Sequence, residues 1–357
     1  MAKVGIMTFL HNENCGSGLQ AWALQETLRE LGWEPLGLDY RPDRAEQLRN
    51  LLRSGNSPAV VLDSMRRRKA KGVRNTAGFD RFRTERLTLS APCRNGAALR
   101  EAARDCGVLL CGSDQVWSPE WLNPAYFLDF AQDQPRVAYA CSLGVKTLPA
   151  KRKAEKMRRL VLPFRAVSLR EEEGKNILQA LLPQKPMAVM PDPVLLLPRA
   201  RWLQLAGAPA PEPVLAAYFL RDNPAHWQKA EAIAAEKGLT LRPLAVTEEA
   251  RGRAGAVPNP DPIRWLRVMA SAAAVITDSF HGAAMAAVLG KPLTVVRRWA
   301  DGDPASKNSR IDQLMRLLGW TNDAACLPSP VVDLRLSTER ERALAWLQQS
   351  LQGGGQG

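Results

Sequence analysis

Histidine is scarce in this chain, with residues only at positions 11, 226 and 281. Six cysteines stand at 15, 93, 106, 111, 141 and 326, and no two have CxxC spacing. A structural zinc site needs four His or Cys ligands at short intervals, so no metal centre is expected. Cys111 and Cys141 fall in or beside apolar runs and read as small core residues. The same cysteine usage fits a reducing compartment, taken as cytoplasm. Aromatic residues reach only 6% of the chain. They do not interleave with basic residues and no nucleic-acid module is recognisable, which argues against a nucleic-acid partner. Neither GxGxxG nor a Walker loop occurs, and no repeat of 20–50 residues is present.

Long hydrophobic runs are missing too. Ala270–Gly290 holds Asp278 as its one formal charge, but Asp-Ser-Phe-His-Gly interrupts it. A strand followed by a helix explains that stretch better than a lipid-crossing helix. The opening run MAKVGIMTFLHNEN is too short for a signal peptide.

What remains is an ordinary globular composition, 46% hydrophobic and 24% charged over 357 residues. A chain of this length buries enough surface to fold without staples and suggests two domains. Its net charge of +13 suits an anionic partner, such as an anionic membrane face or a phosphorylated small molecule. The wide spread of arginine fits a plain arginine-rich background equally well.

Hydrophobic periodicity gives the organisation. KVGIMTF (3–9) reads as a strand, 17–31 as a helix with Ala21, Leu24, Leu28 and Leu31 on one stripe, and 33–39 as a second strand. This is the opening βαβ unit of a parallel sheet. An arginine-rich, mostly helical stretch follows at 44–105, with Met65–Lys71 its densest positive block. Strands at 107–111, 136–140 and 166–169 come next. The alternation resumes with strands at 214–219, 239–245, 273–277 and 293–296, separated by helices at 224–237, 262–270 and 280–289. Helices at 309–318 and 336–350 close the chain. Pro-Asp-Pro (191–193) and GAPAPEP (207–213) are the best linker signals. The expected fold is α/β, with two Rossmann-like domains at 1–193 and 194–335 facing a cleft, the second holding the donor site, then a terminal helix and flexible tail at 336–357. Ligands of such sheets sit beyond the carboxyl ends of the strands.

Four segments there carry candidate chemistry. In Ala-Val-Ile-Thr-Asp-Ser-Phe-His-Gly-Ala-Ala (274–284) a strand runs into a helix for which Ser279 is a plausible N-cap. His281 then falls in the first turn, where free N–H groups and the dipole favour an anion. Gly282 and the small residues after it leave room for a ligand. The plainer reading is a histidine satisfied by Asp278. Arg170, at the end of the strand in Ala-Val-Ser-Leu-Arg-Glu-Glu (166–172), can grip a carboxylate or phosphate bidentately, or simply pair with Glu171 or Glu172. The loop Asn12–Gly18, with Asn14 and Gly16, can cradle a phosphate or form an ordinary tight turn. Cys15 in that loop would lie at a helix N-terminus, where a thiol can be reactive. In Asn308-Ser309-Arg310-Ile311, Asn308 or Ser309 can cap the last helix of the second half, and Arg310 can reach an anion in the cleft.

Taken in order, these segments resemble the polysaccharide pyruvyl transferase family. The matching stretches are Gly5-Ile6-Met7-Thr8 with Leu19–Leu24, Leu38-Asp39-Tyr40-Arg41-Pro42, Cys111-Gly112-Ser113-Asp114-Gln115-Val116-Trp117 and Tyr139–Gly144. Ser168-Leu169-Arg170-Glu171-Glu172, Asp192–Leu196, Thr277-Asp278-Ser279-Phe280-His281-Gly282 and Asn308–Ile311 follow in family order. One departure is Cys15, where the family often has tyrosine between Asn and Gly.

The resemblance implies a fold of glycosyltransferase-B type and transfer of a pyruvyl group from phosphoenolpyruvate to a sugar as a cyclic ketal. It implies His281 and Arg170 in donor binding and catalysis, with Asn14, Gly16, Ser113, Asp114, Ser279, Phe280, Gly282, Asn308 and Arg310 binding substrate. No cofactor is needed beyond phosphoenolpyruvate as donor substrate. The alternative on the same fold is a sugar-nucleotide-dependent glycosyltransferase. Basic blocks at Met65–Lys71 and Lys151–Arg159 are compatible with peripheral contact at an anionic inner membrane face, where a lipid-linked saccharide acceptor would lie. Two solvated helix faces would account for them as well.

Overall fold

A computed structural model describes residues 2–53, 75–299, 308–320 and 327–353. The block Met65–Lys71, Cys326 and the last four residues lie outside the described residues. The first half forms a six-stranded sheet from β1 (Lys3–Met7), β2 (Glu34–Gly37), β3 (Val108–Cys111), β4 (Arg136–Cys141), β5 (Phe164–Leu169) and β6 (Ala188–Val189), in the order β2-β1-β3-β4-β5-β6. The second half forms a five-stranded sheet from β7 (Glu212–Tyr218), β8 (Thr240–Ala245), β9 (Val257–Pro258), β10 (Ala272–Thr277) and β11 (Leu293–Val295), in the order β11-β10-β7-β8-β9. Every pairing is parallel. Parallel strands are covered by helices on both faces, so they read as continuous apolar runs. β3, Val-Leu-Leu-Cys, is wholly buried for that reason.

The predicted alternation of strand and helix is present throughout. The short strands β6 and β9 and the helix Arg199–Ala206 carry too little periodicity to be read from sequence. Helix Cys15–Glu30 starts where Asn14 Oδ1 accepts from Ser17 N at 3.2 Å, and the chain turns out of it through Gly32 at φ 81°.

The connection between the sheets differs from the exposed linker that Pro-Asp-Pro suggested. Asp192 is 1% exposed, and Val194, Leu195 and Leu197 are buried. They join an apolar cluster that takes Leu19 and Trp22 from the first half and Trp265, Phe280 and Met285 from the second. Trp22 meets Trp202 edge-on at 5.2 Å. The two sheets therefore share a packed seam. Prolines rigidify this crossing segment rather than loosening it.

The last helix, Pro330–Gln352, returns to the first sheet. Ala343, Trp346, Leu347 and Leu351 pack with Val4, Ile6, Leu110 and Val137. Arg165 Nη2 donates to Leu351 O at 3.0 Å, and Arg342 Nη2 to Val189 O at 3.0 Å. Among the described residues no helix is long and apolar enough to cross a membrane, and no cluster of metal-ligating side chains occurs.

Candidate functional site

The carboxyl ends of β3, β4 and β5 deliver Ser113, Asp114, Ser142 and Arg170 to one buried spot. From the other half, β10 ends at Thr277 and feeds helix Phe280–Val288. Its start is tightly built. Ser279 Oγ accepts from Gly282 N at 3.4 Å, and Ser279 N donates to Thr277 Oγ1 at 3.1 Å. His281 lies in the first turn, 7% exposed, as its position in the sequence predicts.

Asp278 does not satisfy His281. Its carboxylate accepts from Leu220 N at 2.8 Å and from Arg298 Nε at 3.0 Å. His281 faces Asp192 across the seam instead, with Nε2 3.6 Å from Oδ2. That is ion-pair rather than hydrogen-bond distance, and Nε2 has no hydrogen-bond partner.

Arg170, 2% exposed, pairs with neither Glu171 nor Glu172. Its Nη1 donates to Asp192 Oδ2 at 2.6 Å and its Nη2 to Asp114 Oδ1 at 3.4 Å. The guanidinium lies 4.5 Å above the Phe280 ring, a cation–π contact linking the halves. Burial works to raise the Asp192 carboxyl, but His281 and Arg170 outweigh it and hold it well below the usual range. Asp114 is held low by the same opposition, with Ser17 Oγ donating to it at 2.5 Å. Both carboxylates remain ionised and tie the basic groups in place.

Glu171 completes the floor. Its Oε1 accepts from Ser142 Oγ at 2.9 Å and Leu143 N at 3.0 Å, while Oε2 has no partner. Burial pushes this carboxyl up, against the pull of Arg170 and Arg310. Arg310 enters from helix Ser309–Leu318. Burial, and then the like charge of Arg170, push its guanidinium down to about 10. It remains a cation at neutral pH, and its Nε has no partner.

Small residues make the crowding possible. A Cβ on Gly112, at φ 137°, would lie 2.0 Å from Tyr139 O. A Cβ on Gly16 would lie 2.3 Å from His281 Cγ, so the first turn of helix Cys15–Glu30 is pressed onto the imidazole. The space beside Gly282 is occupied by Thr277 Oγ1, 2.5 Å from where a Cβ would sit. That glycine serves helix–strand packing rather than ligand access. Ser113 Oγ donates to Ala140 O at 2.7 Å, placing its peptide beside Asp192. Asn308 does not cap its helix with its side chain; Nδ2 donates to Trp299 O at 3.0 Å. Cys15 is no reactive thiol. It is buried, its Sγ donates to Pro260 O at 3.3 Å, and burial pushes it well above the ordinary thiol range.

The structure thus gathers Gly16, Ser113, Asp114, Arg170, Phe280, His281 and Arg310 at one seam. Asn14 lines a cleft of about 1160 Å³ between the strand ends of the two sheets, where His11, Tyr40, Arg41, Tyr218 and Arg251 also lie. Arg170 also borders a smaller groove of about 570 Å³. In the sequence Asp192 reads only as part of a linker and of a family match. The signal was an acidic residue between two prolines in an otherwise apolar run, where a carboxylate needs a buried partner.

A family model described as polysaccharide pyruvyl transferase matches residues 14–299. No curated protein matches the chain. Among solved structures, UDP-GlcNAc 2-epimerase from Neisseria meningitidis bound to UDP-GlcNAc is similar at 11% identity and TM-score 0.50, covering 97% of this chain and 99% of that one. A heptosyltransferase from E. coli with ADP is similar at 12% identity and TM-score 0.43, covering 88% and 97%. At 11% identity the likeness to the epimerase concerns the fold alone; the two parallel α/β sheets make it a fold of glycosyltransferase-B type.

Proposed function

The chain belongs to the polysaccharide pyruvyl transferase family, and we propose that it moves a pyruvyl group from phosphoenolpyruvate to two hydroxyls of a polysaccharide-precursor sugar, forming a cyclic ketal and releasing phosphate. One observation carries this reading. Arg170 Nε, Arg310 Nε and His281 Nε2 are buried without hydrogen-bond partners, and all three cationic side chains lie within electrostatic reach of the Asp114 carboxylate. Buried donors left unmatched are costly, and two neighbouring guanidinium groups repel each other. A small anion bearing both carboxylate and phosphate relieves both penalties, and phosphoenolpyruvate is such an anion.

In this reading His281 gives a proton to the methylene carbon, and positive charge develops at the central carbon. One sugar hydroxyl adds there and loses its proton. Phosphate leaves with the C–O bonding pair, and the second hydroxyl closes the ketal and gives up its proton. Of the two protons lost by the sugar, one replaces the proton that became part of the methyl group and the other leaves with phosphate. Asp192 balances the charge of the protonated imidazole, and Arg170 and Arg310 hold the donor.

Thermal-shift titration with phosphoenolpyruvate and with uridine diphosphate is the test, because a ligand of the folded state raises apparent stability. Phosphoenolpyruvate should stabilise the protein, and phosphate release should accompany mass gain on a panel of nitrophenyl and lipid-linked sugars. Stabilisation by uridine diphosphate alone would replace this reading with sugar-nucleotide glycosyl transfer.

A further inference from the structure

His11 has no part in the site described so far. It stands after β1, on the wall of the 1160 Å³ cleft. Its Nε2 is hydrogen-bonded to Asp39 Oδ1, and its side chain is 27% exposed. Asp39 follows β2 and is 2% exposed. Arg41 grips it bidentately, Nε donating to Oδ1 at 3.0 Å and Nη2 lying 2.8 Å from Oδ2. Burial acts to raise the Asp39 carboxyl, while the hydrogen bonds from His11 and Arg41 prevail and hold it below its ordinary range.

An ionised carboxylate only accepts hydrogen bonds, so His11 Nε2 must carry the hydrogen. In the neutral ring Nδ1 is then the basic nitrogen. The loop that carries His11 ends at the N-cap Asn14 and leads into helix Cys15–Glu30, whose Gly16 is pressed against His281. Asn12, next to His11 on the cleft wall, donates from Nδ2 to Ser17 Oγ at 3.0 Å, and Ser17 Oγ donates to Asp114 Oδ2 at 2.5 Å, so two hydrogen bonds join the segment carrying the oriented imidazole to the carboxylate that Arg170 holds at the donor spot. The proposed reaction requires this pairing of tasks, because the acceptor hydroxyl must lose a proton as it adds.

We propose that the His11–Asp39 pair is the general base of the acceptor side, His11 Nδ1 taking the hydroxyl proton as the hydroxyl oxygen bonds to the central carbon of the donor. It follows that the acceptor sugar lies in the cleft beside Asn14 and Tyr40. The inference rests on the proposed pyruvyl transfer. In the step an O–H bond breaks, a C–O bond and an N–H bond form, and Asp39 stabilises the resulting imidazolium without taking its proton.

The test compares wild type, His11→Ala, His11→Gln and Asp39→Asn, measuring phosphoenolpyruvate affinity by calorimetry and phosphate release with nitrophenyl glycosides or water as acceptor. His11→Ala should bind phosphoenolpyruvate within about 2-fold of wild type and lose roughly 10²–10⁴-fold in turnover. Added imidazole, which the cleft can admit, should restore turnover at least about 10-fold in His11→Ala but not in wild type. Asp39→Asn should lose turnover too, because the amide N–H favours the tautomer with the hydrogen on Nδ1. Imidazole rescue is not expected of a merely structural histidine, and His11→Gln covers the case in which alanine unfolds the loop. Normal donor binding and turnover in the folded His11 variants, or a loss that imidazole leaves untouched, overturns the role of the pair alone. Failure of wild type to bind phosphoenolpyruvate overturns the pyruvyl-transfer reading and the base assignment with it.

Discussion

Replacing Gly16 with alanine probes the seam most directly. The added Cβ would stand 2.3 Å from His281 Cγ and 2.4 Å from its Cβ. Ordinary carbon contacts are about 3.5 Å, so helix Phe280–Val288 or the imidazole must retreat by roughly 1 Å. The colliding atoms include Cβ, which rotation of the ring cannot move. Overpacking of this kind costs roughly 1–3 kcal/mol. The better helix propensity of alanine offsets at most about 1 kcal/mol of that. At about 2.1 cal/mol/K of unfolding entropy per residue, a net loss of about 1–2 kcal/mol in a chain of this length corresponds to a fall in Tm of roughly 1–3 °C. A 1 Å misplacement of a reacting group can cost about 10²-fold in rate. Gly16→Ala should therefore reduce phosphate release from phosphoenolpyruvate about 100-fold while lowering Tm by only a few degrees. The Tm loss should persist in a His281→Ala background, because alanine keeps the offending Cβ. Wild-type turnover and Tm in Gly16→Ala would refute the contact between the first helix and the imidazole, and with it the assembly of the site across the seam.

His281→Ala should lower turnover about 10²–10⁴-fold in a folded protein, as measured by phosphate release; near-normal turnover removes its role as acid. Arg170→Lys keeps the charge but loses the planar fork to Asp192 and Asp114. The KM for phosphoenolpyruvate should rise strongly in both Arg170→Lys and Arg170→Ala, and restoration by lysine would reduce the contact to a point charge. Asp192 and Asp114 are held below their unfolded values. Their stabilisation is complete above about pH 4, the unfolded carboxyl value, and is lost as pH falls through the lower folded values. Asp192→Asn should begin with a lower urea midpoint and then decline less steeply into acid; an unchanged acid slope contradicts the linkage. Binding to anionic liposomes at low salt should weaken when Arg66, Arg67, Arg68 and Lys69, or Lys151, Arg152 and Arg159, are changed to glutamine; equal recovery with neutral and anionic vesicles removes the membrane proposal.

The sequence alone determined the longer elements and their order, though not the short β6 and β9 or the helix Arg199–Ala206. Buried parallel strands such as Val108–Cys111 must be continuously apolar, and helices such as Cys15–Glu30 must place one apolar stripe inward, so both periods are written in the residues. It also placed Arg170 and Ser279–His281 at strand ends, because small and polar residues following an apolar run mark the turn into a helix. Partner choice was not legible, since it is made between residues far apart in the chain. Asp278 stands three residues before His281 and Glu171 next to Arg170, yet Asp192 serves both basic groups, Arg170 within its own half and His281 across the seam. Pro191-Asp192-Pro193 has the composition of a linker and became buried because two apolar helices close over it. Gly16 and Gly282 look alike as small residues near a turn, and only the fold shows that one faces an imidazole and the other a threonine. Local propensity fixes where the chain bends; which buried charge finds which partner is decided by the docking of two sheets, where each polar group must be matched at once.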